Sequence, residues 1–164
     1  MLAVVLSLVQ VGAWDTGTAS AAPLTPEALR ARAGWAAADK DGKGDLVISN
    51  GKLTAVARRQ GPGLELYSPG GYRATLSLGT SIERAAVVET GRGAAALEVG
   101  WTAASARFRL KKGEMFVESQ AVAGDAPLRV ECASRFAVLP DFFADDILFD
   151  ARKVPVDRVE LPSE

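Results

Sequence analysis

Hydrophobic and polar residues alternate along most of the chain from residue 45 onward. The alternation is clearest in the segments 72–78, 97–102 and 106–111. This pattern predicts strands that turn one face toward a core and the other toward water. In the first segment, the predicted apolar face consists of Tyr72, Ala74, Leu76 and Leu78.

Short turn sequences separate these segments. Their spacing predicts about eight to ten strands in an antiparallel meander, and hence a mainly β fold of the antiparallel β-sandwich class. Asn50-Gly51, between the apolar runs 46–48 and 53–56, predicts a hairpin with a type I′ turn, which needs two residues with positive φ. The turn sequences are Asn50-Gly51, Gly61-Pro62-Gly63, Pro69-Gly70-Gly71, Gly91-Arg92-Gly93, Lys112-Gly113-Glu114 and Gly124-Asp125-Ala126-Pro127.

The first 21 residues have the pattern of a signal peptide. An almost uninterrupted apolar run covers residues 2–14, and Ala19-Ser20-Ala21 has the form of a cleavage site, although no Lys or Arg precedes the run. The run is shorter than the roughly 20 residues that cross a bilayer. We therefore expect a secreted or periplasmic protein, with no membrane span after signal cleavage. A buried N-terminal helix is the alternative.

Residues 22–44 are expected to form a helix and a polar linker. Thr25 is a good N-cap, Pro26 suits the first helical position and Glu27 favours the first turn, so a short helix is predicted from there to about Ala38. The sandwich domain then covers residues 45–164. Pro155 and Pro162 suit edge strands or linkers. We expect this domain to be incomplete at its C-terminus and to have the rest of a larger polypeptide as its partner.

Composition excludes several chemistries. The 164 residues include no histidine and one cysteine, so a Ser-His-Asp triad, a Cys-His pair, a His-ligated metal and an internal disulfide are all ruled out. The net charge of −1 provides no basic excess for nucleic acid. Arg58-Arg59 and Lys111-Lys112 are interpreted as solvated strand ends and turns, and no nucleic-acid partner is expected. Cys132 alternates with Leu128 and Val130, which predicts a thiol packed in the core.

Residues 39–50 resemble the start of an EF-hand calcium loop. Asp39 and Asp41 occupy ligand positions 1 and 3, Asp45 is a third acid, and a predicted helix precedes them. Lys43 stands where an oxygen ligand belongs, and Asn50 replaces the bidentate Glu. The competing interpretation is a soluble linker.

A second acidic segment contains Asp141, Asp145, Asp146 and Asp150. Four carboxylates in ten residues suit calcium, or an acid/base pair in which one carboxyl has a raised pKa. The interleaved aromatic residues favour a structural loop whose acids face water. Calcium, at either acidic segment, is the only cofactor that the sequence suggests.

Aromatic side chains on a sheet face could stack on sugar rings. Tyr72 and Trp101 lie on alternating apolar faces and are predicted to be core residues. Tyr67 lies on the face opposite Leu64 and Leu66, beside a glycine-rich turn, and is predicted to be the surface aromatic. Ligand-binding candidates are therefore Tyr67, Asp141, Asp145 and Asp146.

The segments 46–56 and 61–67 resemble the opening hairpin of galactose-mutarotase-like β-supersandwich domains, with a strand, an Asn-Gly turn, a second strand and a Gly-rich turn. The resemblance implies a supersandwich-like fold and a carbohydrate context. Catalysis in that family uses histidines and a glutamate, so the activity is not implied for a chain without histidine.

These observations together predict a non-catalytic β-sandwich module of an exported protein. Such a module would bind carbohydrate or pack beside a catalytic domain. One alternative is a fragment of a glycoside hydrolase or polysaccharide lyase that uses the 141–150 acids. Another is a structural assembly domain with an apolar edge that needs a partner.

Overall fold

The computed structural model describes residues 11–38, 40–79, 81–134, 136–140, 146–150 and 152–153. The chain divides into two compact units, Met1–Glu131 and Cys132–Glu164. The described elements are β1 (Gly12–Asp15), α1 (Pro26–Ala31), β2 (Ala36–Ala37), β3 (Leu46–Ser49), β4 (Thr54–Ala57), β5 (Leu64–Ser68), β6 (Gly71–Ser77), β7 (Arg84–Thr90), β8 (Ala94–Gly100), β9 (Ala104–Lys111), β10 (Glu118–Gly124), β11 (Arg129–Cys132), β12 (Phe136–Pro140) and β13 (Asp146–Asp150).

Two antiparallel sheets form most of the fold. Sheet A has seven strands in the order β11-β6-β5-β4-β3-β1-β2, and sheet B has four in the order β10-β9-β8-β7. β12 and β13 pair with each other as a separate antiparallel sheet. The predicted mainly β architecture with two antiparallel sheets is confirmed. Each of the six predicted turn sequences falls at a connection between two successive strands, although Gly71 and Gly124 already belong to β6 and β10.

The main core lies between sheets A and B. It combines buried residues from both sheets, as expected for a β-sandwich. Trp101 belongs to this core as predicted, and its indole N–H donates a 3.1 Å hydrogen bond to the carbonyl of Pro62. The principal core residues are Leu46, Ile48, Leu64 and Leu76 from sheet A, and Leu97, Val99, Phe108 and Leu110 from sheet B.

A second apolar cluster lies on the other face of sheet A. Here Val47, Val56 and Tyr67 alternate with the core residues of their strands and pack against Leu24 and other residues of the N-terminal segment. Residues 24–35 thus cover a face of sheet A that would otherwise meet water. The other residues packed against this cluster are Leu29 and Trp35 of that segment and Trp14 of β1, which is opposite Val47 in the sheet.

The helix α1 belongs to this covering layer. Thr25 is its N-cap and accepts a hydrogen bond from the N–H of Ala28. The helix ends at Ala31, seven residues before the predicted end, because Arg32 adopts a left-handed conformation with φ 47°. Arg32 then places its guanidinium 3.8 Å from the ring centroid of Trp14.

The strand β1 lies inside the predicted signal peptide. It pairs with β3 on one side and with β2 on the other, and Ala13 is buried in the main core. Cleavage after Ala21 would therefore remove an internal strand of sheet A. The predicted boundary at Ala21 divides a segment that folds with the sandwich.

The β3–β4 hairpin is confirmed, but its predicted type I′ turn is wrong. Ser49 pairs with Thr54, so the loop has four residues, and only Gly51 has positive φ, at 84°. Asn50 instead acts through its buried amide. Its Oδ1 accepts hydrogen bonds from the N–H groups of Lys52 and Leu53, and its Nδ2 donates to carbonyls of the β9–β10 connection. This side chain therefore links the two sheets.

The thiol of Cys132 is exposed, so its predicted core position is wrong. Cys132 ends β11, the edge strand of sheet A, and all four residues of that strand are exposed. Alternation alone does not distinguish an edge strand of this kind from a strand in the middle of a sheet.

We expect Asn50→Ala to lower the free energy of unfolding by about 1–3 kcal/mol, because two backbone carbonyls and two N–H groups lose the buried amide that is their partner. Asn50→Asp should be at least as damaging at pH 7, since it turns a carboxylate oxygen toward the carbonyls of Lys111 and Glu114. Urea denaturation measures both variants. Exposed Lys52→Ala, in the same loop, is the control, and equal stability of Asn50→Ala and Lys52→Ala would contradict the account.

Candidate functional site

The largest fully buried side chain of the described residues is Arg58, which follows β4. Its guanidinium lies 3.1 Å from Oδ2 of Asp45 and 3.4 Å from Oε2 of Glu65. Its Nη2 also donates to the backbone carbonyls of Ser20, at 2.6 Å, and Ala22. The prediction that Arg58 is solvated is therefore wrong, because one buried cation joins sheet A to the N-terminal segment.

Tyr67 extends this network and is 1% exposed. Its hydroxyl donates to Oε2 of Glu65 at 2.6 Å and accepts from the N–H of Leu24 at 3.1 Å. Burial, followed by the hydrogen bond to Glu65, raises the pKa of the Tyr67 phenol well above its usual value. Tyr67 lies on the predicted face of its strand. Its predicted exposure is wrong, however, because the N-terminal segment covers that face. Tyr67 offers no free ring to a sugar.

Tyr72 is exposed instead, at 42%, although the alternation placed it in the core. The pairing of β5 with β6 shifts between Leu66 and Tyr67, so that Leu66 pairs with Ala74 but Tyr67 pairs with Tyr72. The extra residue, Arg73, transfers Tyr72 to the opposite face of the sheet. There it packs edge-on against Tyr67, with the ring centroids 5.9 Å apart.

The segment 42–45, part of the predicted calcium loop, is held by side chains of the protein itself. The carboxylate of Asp15 accepts hydrogen bonds from the N–H groups of Lys43 and Gly44, both at 2.8 Å. The guanidinium of Arg59 donates to the carbonyls of Gly42, at 2.6 Å, and Gly44, at 2.8 Å. In an EF-hand loop that starts at Asp39, the backbone carbonyl that binds calcium would be that of Asp45, and this carbonyl accepts a 3.1 Å hydrogen bond from the N–H of Thr16.

Of the three predicted metal ligands, Asp41 and Asp45 lie among the described residues. Asp45 is buried against Arg58 and also accepts a hydrogen bond from the N–H of Arg59 at 2.9 Å. Asp41 forms an isolated bridge with Ala86, and Asp39 lies outside the described residues. No group of three acidic or cysteine residues in the described ranges could hold a metal ion. Calcium at this segment stays a prediction.

The second acidic segment lies mostly outside the described residues, including Asp141 and Asp145. Asp146 begins β13. The carboxylate of Asp150 binds the guanidinium of Arg152 in a two-point contact at 2.7 and 2.9 Å. This contact lowers the pKa of Asp150, whereas a general acid needs a raised one. The role of the other three acids stays a prediction.

Charged side chains on the β7, β8, β9 and β10 strands of sheet B pair with one another. Arg109 binds Glu89 at 2.7 Å, and Arg107 binds Glu98 at 3.3 Å. The hydrogen bond from Arg109 holds the pKa of Glu89 below its usual value. Lys111 pairs with Glu118 in the same way. Each of these charged side chains has a partner of opposite charge within the sheet. They therefore form a row of exposed ion pairs and give no indication of a binding site.

The strongest candidate site is the β10 surface, our name for the exposed apolar side chains along β10 and the connection before it, which are those of Met115, Phe116 and Val122. Their exposed fractions are 71%, 55% and 43%. Met115 and Phe116 lie in the β9–β10 connection, and Val122 lies at the bulge of β10. Sequence reasoning missed this site because β10 has only small residues around Val122 and thus no clear apolar alternation.

A groove of about 160 Å³ lies beside β10. Its walls are mainly alanines, with Leu78 and Leu128. Ser105 also lines it and is 3% exposed, and its hydroxyl has no hydrogen-bond partner in the described part of the chain. Buried hydroxyls of this kind are uncommon, because most have a hydrogen-bond partner. The hydroxyl of Ser119 and the amide of Gln120 belong to the same lining.

Comparison with protein families, with curated proteins and with solved structures found no match to this chain. In the described part of the chain, no helix has the length and apolar character that crossing a membrane requires.

We expect Arg58→Met to lower the free energy of unfolding by about 3–5 kcal/mol, since the substitution leaves the buried carboxylate of Asp45 and the partly buried carboxylate of Glu65 without their cation. Guanidinium denaturation measures the change. The control is Arg30→Met, which removes the exposed ion pair to Glu27 and should change stability by less than about 1 kcal/mol. Similar losses for both variants would show that the buried network has no special role.

We expect Asp15→Asn to lower stability at neutral pH. Burial raises the pKa of the Asp15 carboxyl, but the backbone hydrogen bonds from Gly17, Lys43 and Gly44 outweigh it and lower that pKa. A carboxyl with a lowered folded-state pKa stabilises the protein above its unfolded pKa of about 3.9, and this contribution is lost as the pH falls through the folded value. The gap in melting temperature between wild type and variant should therefore shrink from pH 7 to pH 3. A constant gap would contradict this assignment.

Proposed function

We propose that the chain is a non-catalytic β-sandwich module of an exported protein, and that it packs against another folded unit through the β10 surface. The observation that carries this proposal is the exposure of Met115 and Phe116, at 71% and 55%. Large apolar side chains exposed as a group favour a surface that another protein covers. Because the fold includes residues 11–24, export requires that any cleavage leave this segment in place.

The two edges of sheet B support the choice of the β10 side. At the β7 edge, the N–H of Val87 donates to the carbonyl of Lys40 at 3.1 Å, and Asp41 bridges to Ala86. At the β10 edge, no described strand pairs with the outer side of the sheet. Folded proteins normally protect such an edge, and an unprotected apolar edge is suited to a partner.

The groove beside β10 provides the chemistry for such a contact. Its alanine and leucine walls accept an apolar side chain, and the exposed Ser119 hydroxyl and Gln120 amide offer hydrogen bonds. A partner with an apolar side chain next to a polar backbone group would satisfy both requirements. This combination is typical of an extended segment of another domain.

The other predicted functions receive less support from the described residues. Carbohydrate binding, which the resemblance to galactose-mutarotase-like supersandwich domains implies, would depend on Tyr72 rather than on the buried Tyr67. The enzyme alternative rests on acids of the 141–146 segment. Neither alternative accounts for the exposure of Met115, Phe116 and Val122.

We expect residues 115–124 to exchange their amide hydrogens at least about tenfold more slowly in the protein isolated from its producing cells than in the isolated chain, because a partner covers them. Hydrogen exchange with mass spectrometry measures both samples. In the cell-derived protein, Met115→Ser/Phe116→Ser should remove this protection, whereas exposed Val88→Ser on β7 should leave it unchanged. Equal exchange of residues 115–124 in the two wild-type samples would overturn the proposal.

A further inference from the structure

The edge strand β11 carries a second exposed surface, distinct from the β10 surface. Among the described strands, β11 is the terminal one of sheet A and pairs with β6 alone. Val130 is 58% exposed, and the preceding Leu128 is 42% exposed. These apolar residues alternate with the exposed charges Arg129 and Glu131. A face of this kind, beside a free strand edge, is suited to pairing with another strand.

We propose that a second copy of this chain pairs with β11 in an antiparallel arrangement, with Val130 on the two-fold axis. Two residues that lie opposite each other, one from each copy, then have numbers that add up to twice 130. Arg129 of each copy lies opposite Glu131 of the other, which gives two pairs of opposite charge. Leu128 lies opposite Cys132, and Val130 opposite Val130, so that the apolar residues meet on the other face. This inference goes beyond the proposed function and does not depend on the β10 surface.

The charges select this register over its neighbours. An axis at residue 129 would place Arg129 opposite Arg129, and an axis at residue 131 would place Glu131 opposite Glu131. Both arrangements bring like charges together, which destabilises a strand pair. A one-residue slip of one strand would set Val130 opposite Glu131 and mix the two faces. The sequence of β11 is thus self-complementary in one register.

The backbone of β11 is oriented for the same register. The carbonyl of Glu131 accepts a 3.4 Å hydrogen bond from the hydroxyl of Tyr72, on the β6 side. Because carbonyls alternate in direction along a strand, the N–H and C=O of Val130 face the free edge. On the two-fold axis, the two copies of Val130 would exchange both of these hydrogen bonds, as a hydrogen-bonded antiparallel pair does.

Other free edges of the described sheets are less suited to this role. β2 has two residues, and β7 is covered by residues 40–41. β10 has a bulge at Val122, which disrupts a regular ladder. Only β11, among the described edge strands, combines opposite charges at positions that pair with each other across a two-fold axis.

Charge exchange tests the proposal. Sedimentation equilibrium of the full chain should show a dimer, and Arg129→Glu or Glu131→Arg alone should raise its dissociation constant at least about tenfold, because each change opposes like charges twice. The double variant Arg129→Glu/Glu131→Arg should restore the wild-type value. Arg92→Glu, an exposed change in the β7–β8 turn, is the control. A monomeric wild-type chain, or a double variant that dissociates like the single ones, would overturn the proposal.

Cross-linking tests the position of the axis. In a Cys132→Ser background, Val130→Cys should be joined to its counterpart by a short homobifunctional maleimide, because the two Cα atoms would be about 5.5 Å apart. Val88→Cys in the same background has a similar exposure, at 43%, and should stay uncross-linked. Equal yields for the two cysteines would contradict pairing at β11. If neither sedimentation nor cross-linking detects a dimer, the proposal for the β10 surface is unaffected. That proposal is tested separately, by hydrogen exchange at residues 115–124.

Discussion

The structure depends most on one buried guanidinium. Arg58 lies among two carboxylates of sheet A, from Asp45 and Glu65, and two backbone carbonyls of the N-terminal segment, from Ser20 and Ala22. A buried cation is tolerated only when neighbouring carboxylates and other polar groups compensate its charge. In this chain, the carbonyls that bind Arg58 come from residues 38 and 36 positions earlier. The N-terminal segment is consequently a structural part of the sandwich.

This constraint explains why sheet A carries side chains typical of an interior on both faces. The inner face packs against sheet B, and the outer face holds Val47, Val56 and Tyr67 beneath the N-terminal segment. Asp15 and Arg59 fix the neighbouring loop by binding its amides and its carbonyls respectively. The loop that resembles a calcium site is therefore closed by a carboxylate and a guanidinium of the chain. Export remains compatible with this arrangement only if the mature chain retains residues 11–24.

Local sequence patterns were enough to predict the two-sheet β architecture and its turns, because each strand and each turn is specified within a few residues. They failed where distant segments decide the outcome. Nothing near Arg58 distinguishes it from its neighbour Arg59, since its carboxylate partners and the carbonyls of residues 20 and 22 are brought to it by the fold. The exposures of Tyr67 and Tyr72 are the opposite of those predicted, again because of features that alternation does not reveal. Tyr67 is buried by the segment that covers its face of the sheet, and Tyr72 is exposed by the bulge at Arg73.

The candidate site was predicted less well than the fold. Of the residues chosen from the sequence, Tyr67 and Asp45 are buried, and Asp39, Asp141 and Asp145 lie outside the described residues, whereas most of the exposed large apolar residues lie in β10, β11 and their connections. Exposure is a property of the packed sheets, and alternation cannot reveal which strand lies at an edge. Two edge surfaces, one suited to a different domain and one to a second copy, favour a module that functions through assembly.

The most direct test of the central claim is hydrogen exchange across residues 12–24 in the full chain. If the Arg58 network holds this segment in the sandwich, the amides of β1 and of Leu24 should be protected to nearly the same extent as those of β3 and β4. Rapid exchange throughout residues 12–24, with β3, β4, β8 and β9 still protected, would show that the sandwich folds without its N-terminal segment and would contradict this account.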